Sequence, residues 1–174
     1  MLHDFTTRAK KIKLAVFDID GVMTDGRLYF LPDGSEFKSF NSLDGLGIKM
    51  LIQTGIQTAV ITGRTCAVVE NRINNLGIQH YYHGREDKLT ALNELLAEIH
   101  LDYENVAYLG DDLPDLTVIK RVGLGMAVAN AHTFVKQHAF SCTKAEGGKG
   151  AVREFCELLL LAQGQLPSIQ KQYL

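Results

Sequence analysis

The feature that most constrains this chain is its regular alternation of short apolar runs with segments of helical spacing. Leu14–Phe17 reads as a buried strand. Gln57–Ile61, Tyr81–Tyr82, Val106–Leu109 and Gly125–Val128 read as four more. Between them lie helical patterns: Leu46, Met50 and Leu51; Val68, Val69, Ile73 and Leu76; Leu89, Leu92, Leu95, Leu96 and Ile99; and Leu116 with Ile119. A last one runs from about Ala151 to Ala162. Gly55 and Gly77 stand where helix C-caps favour glycine. Strands alternating with helices imply an α/β, doubly wound parallel sheet with helices on both faces. Ligands of such sheets gather at the carboxyl ends of the strands, which is where chemistry is sought.

With 174 residues the chain makes one domain, 1–174, with little left for a second. Hydrophobic residues at 46% and a net charge of -2 suit a globular protein and give no reason to expect nucleic acid or a membrane surface as partner. The longest greasy run, Leu158–Ala162, is too short to span a bilayer, and the apolar stretch at Leu14–Phe17 is too short for a secretion signal. Cys66, Cys142 and Cys156 form no C-x-x-C pair, which disfavours a disulfide scaffold or zinc site and fits a reducing cytoplasm. Lys10, Lys11 and Lys13 read as a solvated lead-in to the first strand.

One segment breaks the alternation. Residues from about 27 to 40 read as a β-hairpin turning at Pro32-Asp33-Gly34, with Leu28, Tyr29, Phe30, Phe37 and Phe40 on its strands. A lone hairpin is marginal in water. Its aromatics therefore need cover, from their own domain or, as the position outside the βα pattern favours, from hairpins of other subunits.

Four polar motifs follow four predicted strands. Asp18-Ile-Asp20-Gly21 places two carboxylates where they can hold a divalent cation, with Asp18 also able to attack phosphorus; as turn and cap residues they would be equally at home. Thr62-Gly63-Arg64 can hold a phosphate oxygen with a hydroxyl and an N–H, or serve as a plain N-cap. Lys88 can neutralise a phosphate and a nucleophile, or be one more surface lysine. Gly110-Asp111-Asp112-Leu-Pro-Asp115 sets three acids at a strand end, a costly cluster unless a cation or helix N-terminus compensates. Asp111 is the better metal ligand of the three; Asp112 and Asp115 can be helix-start acids.

Coincidence explains the ordered set poorly. The set resembles the haloacid dehalogenase superfamily. The resemblance implies Asp18 as nucleophile, Asp20 as general acid/base, Thr62 and Lys88 holding the phosphoryl group, and a Mg2+ cofactor on Asp18, Asp111 and the backbone carbonyl of Asp20, with Asp112 and Asp115 in or supporting the metal shell. The short spacings from Asp20 to Thr62 and from Thr62 to Lys88 leave no room for an inserted cap, so the core is capless. The segments FDIDGVMTDGRLYF, FNSLDGLGIKML, VITGR, GDDLPD, GMAVAN and GGKGAVREF are similar to the 3-deoxy-D-manno-octulosonate 8-phosphate phosphatases from about Lys11 to Gln165. That implies a phosphorylated sugar acid as substrate, a place in lipopolysaccharide synthesis, and a homotetramer in which hairpins pack together and C-terminal tails, here about 165–174, cover a neighbour's site. Gly63, Arg64, Lys149 and Arg153 are candidates for holding the substrate's phosphate or carboxylate; a surface salt bridge is the competing reading for each charged one. Met23, His83 and Lys149 depart from the residues common in that family. A phosphatase of a related sugar acid, such as a nonulosonate 9-phosphate, is the alternative enzyme. A receiver-type signalling module groups its acids differently and is disfavoured.

Overall fold

The fold was read from a computed structural model, which describes residues 2–174. In chain order the elements are α1 (Leu2–Ala9), β1 (Leu14–Phe17), β2 (Tyr29–Phe30), β3 (Glu36–Phe37), α2 (Ser42–Gln53), β4 (Gln57–Ile61), α3 (Ala67–Leu76) and β5 (His80–Tyr82). They continue with α4 (Lys88–Ile99), β6 (Val106–Gly110), α5 (Leu113–Ile119), β7 (Leu124–Ala127), α6 (Thr133–His138), β8 (Ser141–Cys142), α7 (Ala151–Ala162) and α8 (Leu166–Gln170).

Six strands form one parallel sheet in the order β5-β4-β1-β6-β7-β8. β1 sits inside it, and all four of its side chains are buried, as expected of a parallel strand covered on both faces. Its register sets Phe17 level with Val60 of β4 and Leu109 of β6. From β1 the chain winds outward through β4 to β5, then crosses back to β6 on the other side of β1 and winds out to β8. The reversal falls between β1 and β6, the crevice where doubly wound sheets bind ligands. α7 packs on α2 and α1, while α4, α5 and α6 pack in sequence against one another, so helices cover both faces.

The glycines of α2 have a packing role. A Cβ on Gly47 would lie 3.1 Å from the Arg153 backbone, so α2 and α7 approach closely only because that position is bare. Beside this contact the buried Asp44 of α2 accepts a 2.8 Å hydrogen bond from the backbone N–H of Arg153, in the first turn of α7.

Several elements add to the sequence reading. Ahead of the three lysines, which are exposed as expected of a solvated lead-in, Leu2–Ala9 form a helix, α1, whose Ala9 is fully buried. α6 and β8 are too short to show a hydrophobic period. The hairpin is present as a separate two-stranded antiparallel sheet, but only two residues of each strand pair. Tyr29 and Phe37 stack across it at 4.9 Å, whereas Leu28, Phe30, Leu31 and Phe37 all remain exposed in the single chain. Residues 165–174 carry α8, whose Leu166 and Ile169 are buried, followed by one 3-10 turn. No helix among the described residues is long and apolar enough to cross a membrane.

Candidate active site

The sheet register builds the site. One residue beyond the level of Phe17, β1 ends and the chain turns at Asp18; on either side β4 ends before Thr62 and β6 before Asp111. These three side chains thus leave neighbouring strand ends together. Lys88 arrives from the first position of α4, whose N-cap Asp87 accepts from the Thr90 N–H. The turn after Asp20 needs Gly21: its φ is +92°, and a Cβ there would run into the Asp111 carboxylate.

Lys88 Nζ lies 2.8 Å from Asp18 Oδ1 and 2.6 Å from Asp115 Oδ1, with all three side chains buried. An ammonium has three donors, so one N–H remains beyond those two partners. Asp115 is saturated. Its Oδ1 also accepts from the Tyr108 hydroxyl at 2.6 Å, and its Oδ2 accepts from the backbone N–H groups of Asp111 at 2.9 Å and Asp112 at 3.2 Å. It fixes both Lys88 and the loop bearing Asp111. Asp112 is the exposed N-cap of α5 and accepts from the Leu113 N–H.

Carboxylate oxygens of Asp18, Asp111 and Asp115 lie within 4.8 Å of one another. Among the described residues, Lys88 supplies the one ammonium paired with these three acids. Burial, with repulsion from Asp115, pushes Asp18 up to about 7 despite the Lys88 ammonium. Burial and the charges of Asp18 and Asp115 push Asp111 up to about 8. Burial also works against charge on Lys88, but Asp18 and Asp115 outweigh it and hold its pKa above the usual value. The donor set is all oxygen, the acids are crowded, and Asp18 and Asp111 hold their protons more tightly than ordinary carboxyls. Those properties fit a hard divalent cation such as magnesium.

A cavity of about 620 Å³ opens over this cluster, lined by Asp18, Asp20, Thr62, Gly63, Arg64, Glu86, Lys88 and Pro114. Five residues that the sequence motifs point to for catalysis and metal binding, Asp18, Asp20, Thr62, Lys88 and Asp111, therefore meet at one rim, along with Gly63 and Arg64. Lys149 and Arg153 do not line the cavity. Lys149 reaches Glu146 at 2.7 Å and is exposed; Arg153 reaches Glu157 at 2.8 Å on its own helix. Glu86 carries no signal in the sequence, because a lone acid in a loop forms no pattern, and Pro114, in the first turn of α5, reads only as a helix-start proline. Glu36 and Lys38 of the hairpin are also absent from the motifs. Lys38 Nζ pairs with Asp20 Oδ1 and lies 3.1 Å from Glu36 Oε1, and Arg64 Nη2 lies 2.7 Å from Glu36 Oε2. For these two a signal exists: Glu36 and Lys38 are two residues apart and so leave a strand on one face, opposite Phe37.

Comparison with known proteins agrees with this geometry. Residues 82–154 match the model of the haloacid dehalogenase-like hydrolases. The chain is 50% identical over 163 residues to the 3-deoxy-D-manno-octulosonate 8-phosphate phosphatase KdsC of Yersinia pestis, covering 94% of this chain and 87% of that protein. A crystal structure of the Moraxella catarrhalis 3-deoxy-D-manno-octulosonate 8-phosphate phosphatase, in complex with magnesium, phosphate and KDO, superposes with a TM-score of 0.98. Its identity is 40%, with 100% of both chains covered. A probable YrbI family phosphatase from Pseudomonas syringae pv. phaseolica gives a TM-score of 0.97 at 64% identity, covering 98% of this chain and 97% of that one. With half its residues shared along nearly its whole length and the strand-end acids in place, the chain belongs to the 3-deoxy-D-manno-octulosonate 8-phosphate phosphatase family of haloacid dehalogenase-like hydrolases.

Proposed function

We propose that this protein is a magnesium-dependent phosphatase that hydrolyses 3-deoxy-D-manno-octulosonate 8-phosphate to the free sugar acid and phosphate. The observation that carries the reading is the buried Asp18–Lys88 contact of 2.8 Å on the floor of the strand-end cavity, beside Asp111. Relatives bearing that activity in their names, and the magnesium, phosphate and KDO in the Moraxella catarrhalis enzyme, support it.

Asp18 attacks phosphorus, and the bond to the sugar oxygen breaks as Asp20 gives that oxygen a proton. The result is an aspartyl-phosphate on Asp18. Asp20 then takes a proton from water, whose oxygen attacks phosphorus and frees Asp18. Thr62 and the Gly63 N–H hold phosphoryl oxygens, and the remaining N–H of Lys88 holds another. Asp18 and Asp111, with the backbone carbonyl of Asp20, would hold the magnesium, and Asp115 keeps Lys88 and the Asp111 loop in place. When bound, that cation neutralises the carboxylates and the phosphate oxygens. Arg64, at the cavity wall, pairs with a substrate anion; Lys149 and Arg153 reach one only if a neighbouring subunit brings the substrate to them. The 1–174 unit acts as one catalytic domain in the cytoplasm, assembled as a homotetramer through the exposed hairpins.

The test is phosphate release from a panel containing the 8-phosphate, a nonulosonate 9-phosphate and simple sugar phosphates, with magnesium and with chelator. The expected result is fastest release from the 8-phosphate, abolished by chelator. Preference for the nine-carbon ester would move the assignment to that substrate, and release insensitive to chelator would end it.

A further inference from the structure

The hairpin does more at this site than its exposed aromatics account for. Lys38 follows β3 directly, and its side chain is 1% exposed, an unusual burial for lysine. Its ammonium sits on Asp20 Oδ1 and beside Glu36 Oε1. On the far side of the pair, Arg64 Nη2 binds Glu36 Oε2 at 2.7 Å, and Arg64 Nε stands 4.0 Å from Asp20 Oδ2. Asp20, Lys38, Glu36 and Arg64 thus close a ring of alternating charge that joins the hairpin to the cavity.

Asp20 has two cations within reach, one on each oxygen. The Lys38 contact is the tight one. The Arg64 contact is at the limit of an ion pair. Take Lys38 away, and the nearest remaining cation for the carboxylate is Arg64, which lines the cavity wall. Asp20 would swing toward it, away from its present orientation. We propose that Lys38 is a positioning residue: it fixes the orientation of the Asp20 carboxyl group for proton transfer, and Glu36 in turn holds Lys38 and Arg64 apart. The two-residue hairpin strands then supply a working part of the active site as well as an apolar surface. This inference rests on the assignment of Asp20 as the acid/base of a phosphatase.

The experiment measures kcat and KM for the 8-phosphate with the full chain and magnesium, in the wild type, Lys38→Met and Lys38→Arg, and in the Asp20→Asn background with and without Lys38→Met. General acid/base groups contribute about 10²–10⁴-fold, so misplacing one should lower kcat about 10–100-fold. KM should stay within about threefold, because Asp20 works on the transferring proton rather than on bound substrate. Lys38→Arg should recover most of the loss by restoring a cation. In the Asp20→Asn background, Lys38→Met should cost less than about threefold more, since two residues acting through one group are not additive. Should Lys38→Met not fold, Lys38→Gln carries the same expectations. Wild-type kcat in the Lys38 variants, or a full additional loss on top of Asp20→Asn, would overturn the proposal. A wild type that releases phosphate from none of the sugar phosphates would instead overturn the phosphatase assignment.

Discussion

Two charge clusters meet at the mouth of this protein's cavity, and they are built on opposite principles. The one on the sheet rim sets the carboxylates of Asp18, Asp111 and Asp115 against the single ammonium of Lys88. The one on the hairpin side sets Asp20 and Glu36 against Lys38 and Arg64. The hairpin cluster balances within the chain. The rim cluster has more negative charge than its own residues neutralise, and burial magnifies the imbalance by removing water. A fold keeps such an excess where something from outside completes it. The balanced ring therefore serves to hold geometry, while the unbalanced group is poised for a cation and a phosphate.

The largest expected effect comes from changing the rim cluster at the reacting atom. Asp18→Asn keeps the volume and one acceptor for Lys88 but removes the carboxylate proposed as the nucleophile. Phosphate release should fall by about 10⁴-fold or more, in the range seen when a nucleophile is deleted. The melting temperature of the metal-free protein should hold or rise, since one of the crowded charges is gone. Turnover within about tenfold of wild type would mean that another group attacks phosphorus.

Asp115→Ala breaks the rim differently. It leaves the Tyr108 hydroxyl, a Lys88 donor and two backbone N–H groups without their acceptor, all in buried or half-buried surroundings. Removing one partner of a buried pair costs about 3–5 kcal/mol, and in a chain of this size that lowers the melting temperature by about 10 °C. In the hairpin ring, Glu36→Gln should cost less, because the amide keeps the side chain's shape and an acceptor oxygen, and Arg64 beside it keeps its access to water. Equal losses for the two variants, measured by thermal melts, would erase the distinction between the clusters.

The same contrast predicts how pH and magnesium interact. Asp18 and Asp111 are pushed up to about 7 and about 8 in the fold from 3.8. Between pH 4 and 8 the metal-free folded protein therefore holds protons that the unfolded chain has released. Stability falls as pH rises wherever the folded state binds more protons, so the metal-free protein should weaken across that window and level off above it. Magnesium held by these carboxylates would replace those protons. The melting-temperature gain on adding magnesium in place of chelator should be near zero at pH 5. At pH 8 it should be about 5–10 °C when the ion is present at about 100 times its dissociation constant. A gain of the same size at both values would show that the metal does not compete with protons on these carboxylates.

How much of this is legible in the sequence follows from how each part is encoded. The sheet can be read because β1, β4 and β6 are short apolar runs closed by polar motifs, and because a parallel sheet puts its ligand groups at strand ends. That rule alone brings Asp18, Thr62 and Asp111 together. α6 and β8 lack enough residues to show a period. α1 is obscured by the three lysines that follow it, although its apolar Phe5 and Ala9 lie four apart. The role of Asp115 is only half visible. Its sequence marks it as an acid at the start of a helix, but its four donors come from β6, from α4 and from the loop between β6 and α5, and only folding assembles them. Lys38 and Glu36 are hidden for another reason. Tyr29 and Phe37 mark one face of the hairpin as the one that needs cover, and Glu36 and Lys38 on the alternate face look like ordinary solvent-facing residues. Only the folded hairpin brings them against Asp20.

The smallest effect on the fold, and the sharpest test of the hairpin's exposed apolar cluster, should come from Phe30→Ser. Phe30 is 61% exposed, and Tyr29 stacks on Phe37 without it. An exposed side chain with few contacts changes the stability of a single chain by no more than about 0.5 kcal/mol, so melts at low protein concentration should coincide with wild type. A cluster of exposed apolar side chains on a short hairpin is nonetheless a surface that water disfavours. If copies of the chain cover it, sedimentation at micromolar concentration should show the wild type as an assembly and Phe30→Ser as a lighter species. Lys38→Met, whose side chain is buried in the ion ring, should sediment as the wild type does while losing turnover. An unchanged mass for Phe30→Ser would remove the hairpin from the assembly. A reduced mass for Lys38→Met would mean that the ion ring and the aromatic face act as one unit, and that the rim and hairpin clusters are joined through the assembly rather than built separately.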